Sequence, residues 1–368
     1  MRPSNPTIRF RDLRIVDATL KKSLLVAVSN VFDSGQLLMG SQVALLEEQI
    51  AAYCGMKYCV GVSSGTDALY LALRGLGVGP GDEVICPAIS WIATANAISM
   101  AGATPVFVDV CIDQNIDSEK IESAITSRTK AIMPVHFTGK LADMTSINRI
   151  AHKHHLVVIE DAAQAFGAED AGIRAGGFGD AAAFSLNPMK VLPGYGENGA
   201  IVTNSFEVYE KIQSLRYLGT INKERCEYIS LNFKMDEIQA AMLLVSLGYL
   251  SNLLTLRRAY ATFYNGKLHD IVACPPDPDK STVVFDYQIQ VRDRDGLTAF
   301  LADRGIETRI KHPTVMADQP VYKHLPYRDL PVARQLVKHI LSLPLHENLS
   351  YEDLDRVACS IQDFHTKS

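Results

Sequence analysis

Between residues 57 and 203, short apolar runs alternate with longer stretches whose apolar residues recur at helical spacing. The runs are Tyr58-Cys59-Val60-Gly61-Val62, Glu83-Val84-Ile85-Cys86, Pro105-Val106-Phe107-Val108 and Ala131-Ile132-Met133-Pro134-Val135. They continue with Leu156-Val157-Val158-Ile159, Ala182-Ala183-Phe184 and Ala200-Ile201-Val202. Several are almost wholly apolar, as strands covered on both faces must be. The segments 67–76 and 92–100 read as helices, and the later intervals as glycine-rich loops. This pattern predicts an α/β domain with a largely parallel central sheet. Residues 235–268 predict one long connecting helix, and the turn-rich Cys274-Pro275-Pro276-Asp277-Pro278-Asp279 marks entry to a second, smaller domain. There the pattern predicts a strand near 283–291, a helix over 293–304 and closing helices near 331–341 and 351–362. A chain of 368 residues exceeds what one core organises, and the expected division is a large domain over 1–250 and a small one over 251–368.

Composition narrows the function. Hydrophobic residues at 47% and charged residues at 21% are an ordinary globular balance. A net charge of −5 offers no basic excess for nucleic acid or an anionic membrane. The longest apolar tract, 240–256, is broken by Ser246, Gly248, Ser251 and Asn252, so it reads as a buried helix and not as a membrane span. Met1-Arg2-Pro3-Ser4-Asn5 lacks the apolar region of a signal peptide. Seven cysteines without a C-x-x-C pair predict free thiols in a reducing cytoplasm and no zinc site. His152, His154 and His155 have no carboxylate or cysteine at ligand spacing, so a solvated helix end is expected there and no metal. The glycine-rich segment 75–81 follows a helix and precedes a strand, the order of a helix stop and not of a dinucleotide loop.

Parallel sheets bind ligands beyond the carboxyl ends of their strands, so the polar residues there carry the candidate chemistry. Ser63-Ser64-Gly65-Thr66-Asp67 follows a strand and opens a helix. Free N–H groups and the helix dipole make such a place an anion site, or an ordinary cap through Ser64 or Thr66. Asp161 ends an apolar run beside Glu160. It can pair with a protonated pyridine nitrogen or cap Ala162-Ala163-Gln164, and Gln164 can donate to a phenolic oxygen. Lys190 lies between a strand and the flexible Pro193-Gly194-Tyr195-Gly196-Glu197-Asn198-Gly199. A desolvated lysine near another cation loses its proton readily and becomes a nucleophile. Ser185, five residues earlier, can reach a phosphate. Trp91, the only tryptophan, can stack on a flat ring or fill the core.

These elements in this order resemble the sugar aminotransferases of the DegT/DnrJ/EryC1/StrS family over residues 32–361. The matching stretches include Ser64-Gly65-Thr66-Asp67-Ala68-Leu69, Glu160-Asp161-Ala162-Ala163-Gln164-Ala165, Gly179-Asp180-Ala181-Ala182-Ala183-Phe184-Ser185 and Met235-Asp236-Glu237-Ile238-Gln239-Ala240. The resemblance implies the aspartate-aminotransferase fold (fold type I): a mostly parallel seven-stranded sheet sandwiched by helices, with a smaller C-terminal α+β domain. It implies pyridoxal 5'-phosphate (PLP) as cofactor, passing through pyridoxamine 5'-phosphate. Lys190 would be the Schiff-base lysine and Asp161 the partner of the ring nitrogen. Ser64, Gly65, Thr66, Asp67 and Ser185 would surround the phosphate, Trp91 would stack on the ring, and Gln164 would contact the phenolic oxygen. Asn232 would reach the phosphate of a neighbouring subunit, which implies a homodimer with shared active sites.

The implied reaction moves an amino group from L-glutamate, released as 2-oxoglutarate, to a keto-sugar. A nucleotide-linked sugar, in surface-polysaccharide (lipopolysaccharide) or amino-sugar biosynthesis, is the first expectation, and a free keto- or aldehydo-sugar acid the second. A PLP-dependent sugar dehydratase is the rival within the fold, and relatives of that kind carry histidine where this chain has Lys190. A non-catalytic regulator is the rival outside enzymes; Asp161, Gln164 and Lys190 together argue against it. The chain departs from the family pattern at Asn187 and Met189, at Gly196-Glu197-Asn198-Gly199 and at Lys311-His312-Pro313. Candidate substrate contacts are His136, Asn187, Arg309, Lys311 and His312, with Arg309 and Lys311 the candidates for the donor carboxylate.

Overall fold

The computed structural model describes residues 8–222, 224–326 and 328–367. Seven strands form the central sheet: β1 (Tyr58–Val62), β2 (Glu83–Pro87), β3 (Thr104–Val108), β4 (Thr129–Ile132), β5 (Val157–Asp161), β6 (Ala181–Ser185) and β7 (Gly199–Thr203). Their order is β1-β7-β6-β5-β4-β2-β3. The pairs β6–β5, β5–β4, β4–β2 and β2–β3 are parallel. Strand β7 runs antiparallel to both β6 and β1. Two reversals restore the direction, so β1 points the same way as β2–β6, and the carboxyl ends of β1, β2, β5 and β6 meet at one edge.

Side chains alternate across a strand, and both faces here are covered. Ala181 and Ala183 of β6 enter one apolar cluster with Val62, Leu71 and Ile98, whereas Ala182 and Phe184 enter another with Leu46, Ile50 and Leu243. Helix α2 (Ser41–Cys54) and the first half of a 32-residue helix cover the second face, and α1 (Ala18–Ser34) packs on that long helix; α3 (Gly65–Gly75) and α4 (Ala93–Met100) cover the first. The interval after β4 also holds a helix, α5 (Met144–His154), where glycine-rich loops were expected. Asp143 starts it by accepting from the Ser146 N–H at 3.1 Å, a cap that outweighs the polar composition of the segment. Helix α6 (Phe206–Arg216) follows β7.

The long helix, α7 (Glu237–Leu268), has the length and composition of a membrane span, yet its two halves enter two cores. Its second half supplies Tyr260, Tyr264 and Leu268 to a cluster with β8 (Tyr287–Gln290), α8 (Arg294–Asp303), β9 (Ile340–Leu343) and α10 (Tyr351–Lys367). Ile8 joins this cluster, its N–H donating to Gly305 O at 3.0 Å. Two sequence expectations shift here. Strand β8 starts only at Tyr287, because Val284 has a left-handed φ of 49° that interrupts the extended chain. The helix expected over 331–341 is α9 (Pro331–His339), and the apolar Ile340-Leu341-Ser342-Leu343 instead pairs antiparallel with β8.

Helix α7 also anchors α2. The Glu237 carboxylate, 1% exposed, accepts from the backbone N–H groups of Gly40 at 2.6 Å and Gln42 at 2.8 Å. These are the donors that the start of a helix leaves without partners. Glu237→Ala should therefore cost about 2–3 kcal/mol of unfolding free energy, since hydrogen bonds to a charged group are lost and buried donors are left bare. Denaturant titration checks this, and an unchanged midpoint would remove Glu237 as the anchor.

Candidate active site

A cavity of about 770 Å³ opens at the edge where the strands end. Its walls come from the start of α3, residues 90–94, the ends of β5 and β6, the loop after β6, and residues 307–312. Ser64 is the N-cap of α3, its Oγ accepting from the Asp67 N–H at 3.1 Å. The Ser63 and Ser64 hydroxyls donate to the Asp67 carboxylate at 2.7 Å each. Asp67 is thus turned back on the two serines and stays out of the cavity wall, while Ser64, Gly65 and Thr66 line it. The N–H groups of Gly65 and Thr66 have no acceptor within the helix. Ser185 faces them: a Cβ built on Gly65 would lie 2.5 Å from Ser185 Cβ, so only glycine allows this approach. Gly199, which starts β7, is equally constrained, since its Cβ would lie 2.3 Å from Ser64 O.

At the end of β5 the Asp161 carboxylate is 4% exposed. It accepts from Thr94 Oγ1 at 2.7 Å and from the Ala163 N–H at 3.2 Å. Burial raises its pKa above the ordinary value, and these two donors offset only part of the rise. Lys190 is shifted the other way. Burial lowers its pKa to about 8, Lys311 and Arg11 push in the same direction, and Asp161 opposes them. Its Nζ lies 4.7 Å from the Phe285 ring centroid. A carboxyl shifted up and an amine shifted down toward neutrality make a wall suited to proton transfer.

Beside Lys190, Lys311 Nζ pairs with Asp286 Oδ1 at 2.9 Å. Burial lowers the Lys311 pKa. Burial also works to raise the Asp286 carboxyl, but Lys311 and Arg11 together hold it below its usual range. His312 lines the cavity too; burial lowers its pKa to about 4, leaving a neutral ring tilted against Phe137 at 5.0 Å. Asn187 Nδ2 donates to Glu197 Oε1 at 2.5 Å, which ties the segment before Lys190 to the loop after it. Gln164 Oε1 accepts from the Thr138 N–H at 2.9 Å, leaving the amide nitrogen as its remaining donor. Trp91 is 62% exposed at the cavity rim and fills no core.

The structure thus gathers Ser64, Gly65, Thr66, Trp91, Asp161, Gln164, Ser185, Asn187, Lys190, Arg309, Lys311 and His312 around one cavity. His136 stands apart. It is fully buried, its Nε2 on Glu160 Oε2 at 2.9 Å and its Nδ1 accepting from the Ala142 N–H, and Glu160 also accepts from Gly176, Phe178 and Gly179. Asn232 is exposed and pairs with Tyr217 through the backbone, away from the cavity of its own chain. Sequence reading missed Arg11, Phe10, Thr94 and Phe285. Thr94 lay within a stretch that reads as a plain helix start. Arg11 carries no local signal at all: only the pairing of Ile8 with residues 305–307 brings it to the site, where it donates to the carbonyls of Leu345 and Phe285.

Comparison with known proteins decides the family. The model of the DegT/DnrJ/EryC1/StrS aminotransferase family matches residues 18–362. The chain belongs to this family. A dTDP-3-amino-3,6-dideoxy-alpha-D-galactopyranose transaminase of Aneurinibacillus thermoaerophilus is 40% identical, over 97% of this chain and 99% of its own. A Geobacillus stearothermophilus relative named as a pleiotropic regulatory protein is 41% identical, covering 94% and 95%. NtdA from Bacillus subtilis, solved with bound cofactor PMP, superposes with a TM-score of 0.92 at 30% identity and covers 100% of this chain and 87% of its own. The chain is a PLP-dependent sugar aminotransferase with the fold of that family.

The shifts around Lys190 have testable signs. In the cofactor-free protein, labelling of Lys190 by an amine-directed reagent should rise through a midpoint near pH 8. Asp161→Asn removes a carboxylate that favours the ammonium form and should lower the midpoint; Lys311→Met removes a repelling cation and should raise it. Mass spectrometry of the labelled peptide reads the midpoint. A midpoint at the ordinary lysine value would show that the cavity leaves Lys190 solvated.

Proposed function

We propose that this enzyme moves the amino group of L-glutamate to a nucleotide-linked keto-sugar, in the cytoplasm, as a homodimer with shared active sites. The observation that carries the reading is the convergence of Lys190, Asp161 and the open N-terminus of α3 on one cavity. The fit to PLP rests on the donor set: two helix N–H groups with the Ser185 hydroxyl for a phosphate, a buried carboxylate for a ring nitrogen, and an amine largely deprotonated above pH 8.

When bound, the cofactor supplies an electron sink for charge developing on the donor's α-carbon. Asp161, held by Thr94 and Ala163, keeps a proton on the ring nitrogen. Gly65 and Thr66 hold the phosphate through their N–H groups, and Ser185 adds its hydroxyl. Lys190 would hold the cofactor through its amine and would serve as the base for the proton on the donor's α-carbon. Trp91 covers the ring, and Gln164 donates to the phenolic oxygen. Arg309 and Lys311 take the carboxylates of glutamate. The relative named as a transaminase of a dTDP-linked sugar supports a nucleotide-linked acceptor.

The dimer reading rests on exposed apolar residues around Asn232. Leu218, Ile221, Tyr228, Leu231 and Ile229, the last 93% exposed, lie on the same hairpin segment. Leu37, Leu38 and Met39 are exposed as well, and Leu38 pairs with Asp236, four residues beyond Asn232. Large apolar side chains exposed on one segment favour an association face there, and it would carry Asn232 toward the phosphate of the neighbouring subunit.

The purified enzyme should be yellow, and adding glutamate should bleach the visible band and release 2-oxoglutarate. The band should return on adding the right acceptor, so a panel of nucleotide-linked keto-sugars and free sugar acids identifies it. Recovery with free acids alone would overturn the nucleotide-linked reading. Lys190→Ala should abolish turnover, whereas Asp161→Asn should retain cofactor and lose about a hundredfold or more in rate. A near-normal rate in Asp161→Asn would remove its role on the ring nitrogen.

A further inference from the structure

An unbroken strand over 283–291 would put Val283, Phe285, Tyr287 and Ile289 on one face. The chain does otherwise. Tyr287 and Ile289 enter the core of the C-terminal part and Val284 joins them there, whereas Val283 and Phe285 pack into the cluster on the second face of the central sheet. The alternation breaks at Val284, whose left-handed φ of 49° is a costly conformation for a β-branched residue. What the turn achieves is the placement of one ring: Phe285 leaves the C-terminal core and lines the active-site cavity. Both sides of the turn are pinned. Arg257 Nη1 donates to Val284 O at 3.3 Å, the Phe285 N–H donates to Thr138 O at 2.9 Å, and Arg11 Nη2 donates to Phe285 O.

Three cations gather at that ring. Lys190 Nζ and Lys311 Nζ each lie 4.7 Å from its centroid, and Arg11 Cζ lies 5.3 Å from it. A cation within about 6 Å of a ring face is attracted by the ring quadrupole. Two of the three have other partners: Lys311 pairs with Asp286, and Arg11 donates to two carbonyls. Lys190 Nζ has no hydrogen bond or ion pair among the described residues, and the ring is the contact that holds it. Charged groups face the amine from four segments: Asp161 at the end of β5, Lys311, Arg11 near the N-terminus and Glu197 in the loop after Lys190. His312 beside them is held neutral by burial. A carboxylate in contact would keep the proton on the amine and occupy its N–H groups. A ring face orients the ammonium and leaves those groups free to react.

We propose that Phe285 is a positioning residue whose ring holds the Lys190 amine in place through a cation–π contact. This role rests on Lys190 being the reactive lysine of the proposed function. Trace labelling of the full-length, cofactor-free protein with acetic anhydride across pH reads the Lys190 midpoint. Phe285→Leu stays apolar but has no ring face, and should lower the midpoint by about half a unit to one unit, because the ring favours the ammonium form. Phe285→Tyr keeps the ring and should keep the midpoint. A ring that only filled space would give the opposite sign, since a smaller side chain admits water and lifts the midpoint toward the ordinary lysine value. An unchanged or raised midpoint in Phe285→Leu, or an equal fall in Phe285→Tyr, would overturn the ring contact. Borohydride reduction of the PLP-loaded wild type, followed by peptide mass spectrometry, locates the lysine that carries the cofactor. Attachment at another lysine would overturn the reading of Lys190, and with it the positioning role, whatever the midpoints. Attachment at Lys190 with unmoved midpoints would overturn the role of Phe285 alone.

Discussion

The site depends on one close approach: the first turn of α3 lies directly against the carboxyl end of β6. Gly65 meets Ser185 and Gly199 meets Ser64 at distances that leave no room for a Cβ. Strand β7 makes this possible by running backwards between β1 and β6, so that its first residue pairs with both Val62 and Ser185. The reversal sets the two strand ends side by side at the sheet edge. The helix N–H groups, a hydroxyl and the loop carrying Lys190 then converge without any long connection.

Charge balance is the second condition. Asp161, Lys190, Lys311, Asp286 and Arg11 stand close together in a poorly solvated region, where an isolated charge is costly. Four of them are held by specific partners: Asp161 by Thr94 and Ala163, Asp286 by Lys311 and Ser342, and Arg11 by two carbonyls. What remains uncompensated appears as shifted protonation, with the carboxyl of Asp161 raised and the amine of Lys190 lowered. The same burial that makes these groups expensive for stability brings them into the pH range where proton transfer is useful.

The departures from the family pattern fall together in space. Asn187, Met189, Lys311 and His312 come from segments more than a hundred residues apart, yet all line the one cavity, whereas Asn198 is buried outside its lining.

The sequence by itself determined the strands of the sheet, through near-continuous apolar runs, and helices α3, α4 and α7, and it marked Lys190, Asp161 and the α3 start, through polar residues placed where such runs end. These signals are local, because a strand's cover and a helix's first turn depend on neighbours a few residues away. It also overran in places: the helix expected to reach 341 ends at His339, because Ile340–Leu343 has a distant partner in β8. Only tertiary structure decided that Arg11 and Phe285 reach the cavity and that His136 sits under β5 on Glu160. These outcomes turn on contacts between segments far apart in the chain, and no spacing within either segment encodes them.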